Sequence, residues 1–302
     1  MALAKSLMAE GRDAVIINTD ASQVYADIPI MSAAPTAEDM AKVPHALFGH
    51  VDGAENYNAA RALIDARAAL SAAITRGATA ILTGGTGMYI GSLLDGIAPM
   101  PPIDPDIRAT VRAMKVADAY AALSIEDPAA AARLNPADDS RVKRALEVIR
   151  STGQSLILWQ EQREGGIAPF VSIVPALLVP PRFVVRAKCE ARLLEMVNYG
   201  AEDADESGGI AEVRRLIERE LDPELPVMRA IGVPEIAAYL RGELTLDAAL
   251  DQAQIATRQY AKRQFTWFRN QPPLDWPRHE SQLTDEIIDD IVIKLREKLL
   301  TS

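Results

Sequence analysis

Ala14-Val15-Ile16-Ile17-Asn18-Thr19-Asp20-Ala21-Ser22-Gln23-Val24-Tyr25 is the stretch on which the fold reading turns. Its four leading apolar residues show no alternation, which suits a strand covered on both faces, and the polar run behind them marks where the strand ends. Upstream, Ala2 to Glu10 reads as a helix that turns at Gly11 into this strand. Downstream, an Ala-rich helix from about Ala59 to Thr75 closes at Gly77 and feeds a second apolar strand, Ala80 to Thr83, which stops at Gly84-Gly85-Thr86-Gly87. Helices alternating with short apolar strands predict an α/β fold built on a parallel sheet with helices on both faces.

The pattern then changes. A proline-rich link, Ala98-Pro99-Met100-Pro101-Pro102, leads into a helical, strand-free region that lasts to about Gly165. This reads as an inserted helical lobe at 97–170, within a core formed by 1–96 and 171–302. Val171 to Val179 looks like a strand returning to the sheet, broken by Pro180-Pro181, and helices dominate from Phe183 onward, including a long one from about Leu246 to Arg269. There is no internal repeat and no low-complexity tail.

Composition narrows the function classes. The 302 residues are 49% hydrophobic and 25% charged, close to an ordinary globular average, and no apolar run approaches the ~18 residues needed to span a bilayer. A cytoplasmic protein, not a membrane protein, is expected. The single cysteine, Cys189, excludes an internal disulfide framework and reads as a packed residue. A formal net charge of -10 argues against nucleic-acid binding over the whole surface, so any RNA contact must come from local clusters of Lys and Arg.

Four constellations are chemically suggestive. Asp20 follows a buried strand, and ligands of open α/β sheets bind beyond the carboxyl ends of strands, where a carboxylate is placed to act as a base or to hold a metal; the plainer reading is that it caps a turn. Gly84 to Tyr89 ends the next strand, with glycines that allow close backbone approach and the Thr86 hydroxyl among them. Ser140-Arg141-Val142-Lys143-Arg144 lies inside the lobe, with Val142, Leu146 and Ile149 on an apolar stripe and Arg144 pointing the other way. In Thr257 to Arg269, helical spacing stacks Arg258, Lys262 and Arg269 on one side, while Tyr260, Trp267 and Phe268 form a second group of the kind more often found in cores. His45 and His50 have no third ligand near them in sequence, which favours a structural role.

Taken in order, these segments resemble the bacterial tRNA dimethylallyltransferase family. Asp20 to Tyr25 is similar to its Asp-Ser-x-Gln-Val-Tyr motif, Pro44-His45 to its Pro-His pair, and Gly84 to Tyr89 to its Gly-Gly-Thr-x-x-Tyr. Asn135 to Val148 resembles its Asn-Pro-x-Asp-x-x-Arg-x-x-Arg-Ala-Leu-Glu-Val run, and Arg229 to Gly232 and Lys262 to Arg269 match two more stretches. The resemblance implies a P-loop NTPase-like α/β core with a helical lobe that grips the tRNA anticodon stem-loop. It implies transfer of a dimethylallyl group from dimethylallyl diphosphate to the N6 amine of adenosine 37, in tRNAs that read codons beginning with U, on a base extruded from its stack.

Residue by residue, the resemblance makes Asp20 the general base and places Thr86 and Arg108 beside the reacting centre, all three also touching tRNA. It puts Arg192 on the diphosphate, a bidentate role suited to guanidinium. Ala21, Ser22, Gln23, Ser140, Arg141, Val142, Lys143, Arg144, Arg229, Lys262, Arg263, Gln264 and Arg269 fall at its tRNA-contacting positions. Mg²⁺ is the implied cofactor, no residue of this chain is assigned as its ligand, and a monomer is expected.

The chain also departs from the pattern. The family begins with a strand and a Gly-Pro-Thr-x-x-Gly-Lys-Ser/Thr loop that holds diphosphate and helps hold Mg²⁺, and Met1 falls where that loop has ended. A late-assigned start or a truncated product is expected, with little or no turnover by the 302 residues as written. Ala21 replaces the usual Ser, and Ala34 stands where Lys or Arg is common before Pro35. Three rivals remain: an enzyme that prenylates free adenine nucleotides, a non-catalytic tRNA-binding protein and, with less support because no phosphate-donor loop is present in these residues, a nucleoside-phosphate kinase.

Overall fold

The computed structural model describes residues 1–203 and 206–300. It separates into two compact units, Met1–Gly91 with Phe170–Ser302, and Ser92–Pro169.

The first unit opens with helix α1 (Ala2–Ala9) and strand β1 (Ala14–Asn18), followed by α2 (Ala37–Lys42), β2 (His45–Ala46), α3 (Ala59–Thr75), β3 (Thr79–Thr83) and α4 (Gly87–Asp95), whose last turn passes into the second unit. The sheet order is β2-β1-β3 and both pairings are parallel, with Ala14 opposite Thr79 and Asn18 opposite Thr83. All five residues of β1 are buried, as its unbroken apolar run requires of a central strand. On one face Ala14 and Ile16 pack with Ala4 and Leu7 of α1. Val15 and Ile17, alternate in the pleat, are buried on the other. Asn58 caps α3 through the Ala60 and Arg61 N–H groups, and the helix closes at Gly77 in the left-handed region, φ +70. The outer edge of β3 has no strand partner among the described residues, and Leu82 and Thr83 are exposed there.

The second unit contains α5 (Pro105–Ala113), α6 (Val116–Glu126), α7 (Pro128–Arg133), α8 (Asp139–Thr152) and α9 (Leu156–Glu161). Asp104, Asp127 and Asp138 accept N-terminal amide hydrogens of α5, α7 and α8, and Pro105 and Pro128 occupy first-turn positions where a missing N–H costs nothing. Its core joins Val111, Leu123, Val142, Ala145 and Leu146.

The first unit resumes with β4 (Leu177–Leu178), α10 (Arg182–Met196), α11 (Gly208–Glu218), α12 (Val233–Leu240), α13 (Leu246–Asn270), β5 (Arg278–His279) and α14 (Asp285–Leu300). Ile288 and Val292 of α14 join the cluster around α1 and β1. Here the sequence expectation fails in one place. Val171 to Val179 does not form a strand of the β2-β1-β3 sheet; only Leu177 and Leu178 are in a ladder, paired in parallel with Arg278 and His279. Pro175 offers no N–H to a ladder, and the partner strand is itself two residues long. No described helix is long and apolar enough to cross a membrane.

Candidate functional site

Parallel pairing brings the carboxyl ends of β1 and β3 side by side. The ladder runs one residue past the strands, with Thr19 N–H donating to the Thr83 carbonyl at 2.8 Å. A Cβ on Gly84 would stand 2.8 Å from the Asp20 nitrogen, so the two chains approach as closely as they do only because that position is glycine. Across the contact, the Ala21 N–H donates to the Thr86 Oγ1 at 3.0 Å. The first two sequence-predicted segments therefore meet.

Asp20 is held from both sides. Buried Asn18 accepts the Asp20 N–H at 2.7 Å, and its side-chain amide donates to the carbonyls of Asp20 and Leu47 at 3.1 and 3.0 Å. Asp20 Oδ1 accepts the Ser22 N–H at 2.8 Å, so the turn-capping role is real. Oδ2 bonds to no described residue, which leaves one oxygen of a half-buried carboxylate available. Gln23 is anchored elsewhere: its side chain donates to the carbonyls of Ser32 and Ala33.

Helix α13 closes the site. Tyr260 Oη lies 3.3 Å from Thr86 Oγ1, and Gln264 Nε2 donates to the Gly85 carbonyl at 2.9 Å. Trp267 occupies the space that a Cβ on Gly87 would need. Burial, and secondarily the Asp20 charge, push the Tyr260 phenol above its ordinary range, opposed by its bond with Thr86. Burial raises Tyr89 in the same way, with Tyr25 and Asp20 adding to it. Both phenols stay protonated at neutral pH. Sequence spacing groups Tyr260 and Trp267 with core aromatics; the usable signal is that Tyr260, Gln264 and Trp267 recur at steps of four and three, one helix face.

The other predicted residues lie apart from this cluster. On α13, Lys262, Arg263 and Arg269 are exposed, with Arg263 over the Tyr260 ring at 5.5 Å, whereas Arg258 faces Glu190 at 3.4 Å. Arg192 is exposed on α10 and makes no ion pair among the described residues; Cys189 on the same helix is half-buried. Arg229 is exposed and 3.4 Å from Glu224. His45 Nδ1 sits 2.7 Å from the Val43 carbonyl, and His50 Nε2 lies 3.5 Å from Asp65.

In the helical unit, Arg108 and Ser140 are exposed. Arg141 pairs with Asp138 at 2.9 Å and Lys143 with Asp139 at 2.8 Å, while Arg144 and Arg112 share Glu147 at 3.4 and 3.2 Å. Val142 is fully buried in the unit's core, so its side chain cannot meet RNA. Among the described residues no group of three or more His, Cys, Asp or Glu is placed to hold a metal ion.

Residues 23–271 match the IPP transferase family. Over 301 residues the chain is 56% identical to a tRNA dimethylallyltransferase of Sphingopyxis alaskensis, spanning 100% of this chain and 94% of that one. It is 52% identical over 273 residues to a tRNA dimethylallyltransferase of Novosphingobium aromaticivorans, spanning 90% of this chain and 94% of the relative. Among solved structures, the full-length tRNA isopentenylpyrophosphate transferase of Bacillus halodurans aligns with a TM-score of 0.66 at 30% identity, covering 99% of this chain and 94% of that one. With the match running through the strand-end turns, the helical unit and α13 alike, the chain belongs to the IPP transferase family.

Proposed function

We propose that this chain is a tRNA dimethylallyltransferase, moving a dimethylallyl group from dimethylallyl diphosphate to the N6 amine of adenosine 37 in tRNAs that read codons beginning with U. The carrying observation is the state of Asp20: one carboxylate oxygen fixed by Ser22, the other without a described partner, at the meeting point of two parallel strand ends. A carboxylate oriented by one oxygen and open at the other suits a general base, a role worth roughly 10²- to 10⁴-fold in rate. In the assigned step N6 bonds to the allylic carbon while that carbon's bond to the diphosphate oxygen breaks. Diphosphate leaves with the bonding pair, and the N6 proton passes to Asp20.

Thr86, fixed by Ala21 and Tyr260, is assigned to hold RNA near the amine, together with Arg108. Exposed Arg192 is assigned to the diphosphate. The α8 cations, Arg229 and the Lys262 to Arg269 stretch are assigned to the tRNA, the contacts to phosphate coming from their Lys and Arg side chains. The described residues do not build a protein cage for Mg²⁺, an ion that commonly binds through one or two carboxylates and substrate phosphates. The 302 residues contain no Gly-x-x-x-x-Gly-Lys-Ser/Thr run. A version bearing a strand and such a loop ahead of Met1 would add backbone amides and a lysine that stabilise the departing charge.

The experiment is prenylation of an anticodon stem-loop RNA and, separately, of free AMP by the loop-bearing version, with and without Asp20→Asn. RNA modification that falls at least 100-fold in the variant, with stem-loop affinity kept within about threefold, is the expected result. Equal rates for parent and variant would remove Asp20 as base. Modification of AMP in preference to RNA would favour the free-nucleotide enzyme, and RNA binding without modification the non-catalytic binder.

A further inference from the structure

Away from the strand ends, Glu212 on α11 is a carboxylate only 1% exposed that makes no ion pair among the described residues. Its Oε1 accepts the Ile30 N–H at 2.8 Å and its Oε2 the Met31 N–H at 2.7 Å. A buried carboxylate is costly unless hydrogen-bonded, and here both oxygens are spent on two consecutive backbone amides. Burial pushes the Glu212 carboxyl above its ordinary range, and those two amides pull it back.

The gripped amides belong to a compact turn. Ser32 N–H donates to the Ile28 carbonyl and Ala34 N–H to the Pro29 carbonyl, and the chain reverses through Ala33 at φ +53. The buried Met31 side chain fills the space that a Cβ on Gly209 or Gly232 would take, so these two glycines leave a notch for it. On its other side the turn offers the Ser32 and Ala33 carbonyls to Gln23 Nε2, at 3.1 and 2.9 Å. Gln23 stands three residues after Asp20, in the loop already tied by the bond from Ser22 to Asp20 Oδ1. Arg219, just past the end of α11, adds a second clamp, reaching Asp27 and, at 2.6 Å, Asp52.

We propose that Glu212 is a positioning residue: by holding the 28–34 turn it fixes Gln23, and through Gln23 the place of the Asp20 carboxylate. The proposal rests on Asp20 acting as the base. Glu212→Gln keeps the size but turns one acceptor into an N–H donor facing a backbone N–H. In the loop-bearing version we expect kcat for stem-loop prenylation to fall about 10-fold, with KM for RNA within about twofold. Amide hydrogen exchange at residues 20–34 should rise at least about 10-fold while that of α13 stays unchanged.

The second measurement is a double-mutant cycle with Gln23→Ala. If Glu212 acts through Gln23, the double variant loses little more rate than Gln23→Ala alone; multiplying losses would overturn the proposal, as would exchange that rises equally everywhere or not at all. Glu212→Asp, which keeps the charge and shortens the reach, is read in the same way should the glutamine variant not fold. If the parent chain does not prenylate RNA, the assigned function fails, while exchange at residues 20–34 in the 302-residue chain still decides whether the clamp exists.

Discussion

At the strand ends, groups 65, 174 and 179 positions apart in sequence meet through single hydrogen bonds. Arg141, Lys143 and Arg144 of α8 instead find carboxylates three or four residues away in sequence. The first arrangement exists only in the folded chain and has few ways to rearrange. The second is a set of ion pairs that each have one exposed partner, and whose cations can turn from a nearby carboxylate to a phosphate. A proton-transfer site needs the former property and a surface that takes up a polyanion needs the latter.

The largest expected break in that comparison is Gly84→Ala. The added Cβ would meet the Asp20 nitrogen at 2.8 Å and push the strand ends apart. Since about 1 Å of misplacement can cost around 100-fold, prenylation by the loop-bearing chain should drop by that order while stem-loop affinity, measured by filter binding, changes little. A drop in affinity without a drop in kcat would reverse the roles given to the two regions.

Arg144→Ala should do the opposite. It shares Glu147 with Arg112, so the carboxylate keeps a partner and the fold survives. Affinity for the stem-loop should fall a few-fold, and the slope of log K against log salt should lessen by about one. An unchanged slope would show that Arg144 touches no phosphate.

The smallest effect concerns α8 as structure. Arg150 binds Glu126 with three hydrogen bonds of 2.7 to 3.2 Å, and this bond holds the Glu126 carboxyl below its ordinary range. The pair is partly exposed, so Arg150→Ala should cost only about 0.2–1 kcal/mol at neutral pH. Because the folded-state pKa is depressed, the contribution is present above the unfolded value near 4.3 and is lost as pH falls through the folded value. Melting curves of parent and variant should therefore converge in acid; a gap that persists there would mean that lost packing, not the ion pair, is being measured.

The long, strongly patterned elements were legible from sequence. β1 announced itself by an unbroken apolar run, α3 by its Asn58 start and Gly77 stop, and α13 by its length. The two-residue strands β2, β4 and β5 are not, because each is defined by a partner distant in sequence rather than by its own residues, and the apolar run at Val171 to Val179 reads as a longer strand of the other sheet. At the site, Asp20 and Thr86 were visible because glycine-rich or polar turns follow apolar strands. Tyr260 is hidden among aromatics of core-like spacing, and Glu212 carries no sign in sequence, since only the fold brings the 28–34 turn against it.

The outer edge of β3 carries a last consequence. A short apolar strand with exposed Leu82 and Thr83, and with no strand partner on its outer edge among the described residues, is a template for self-association, the liability that sheets ordinarily blunt with charge, proline or a covering segment. Concentrated solutions of the 302-residue chain should thus be limited by colloidal behaviour before they are limited by unfolding.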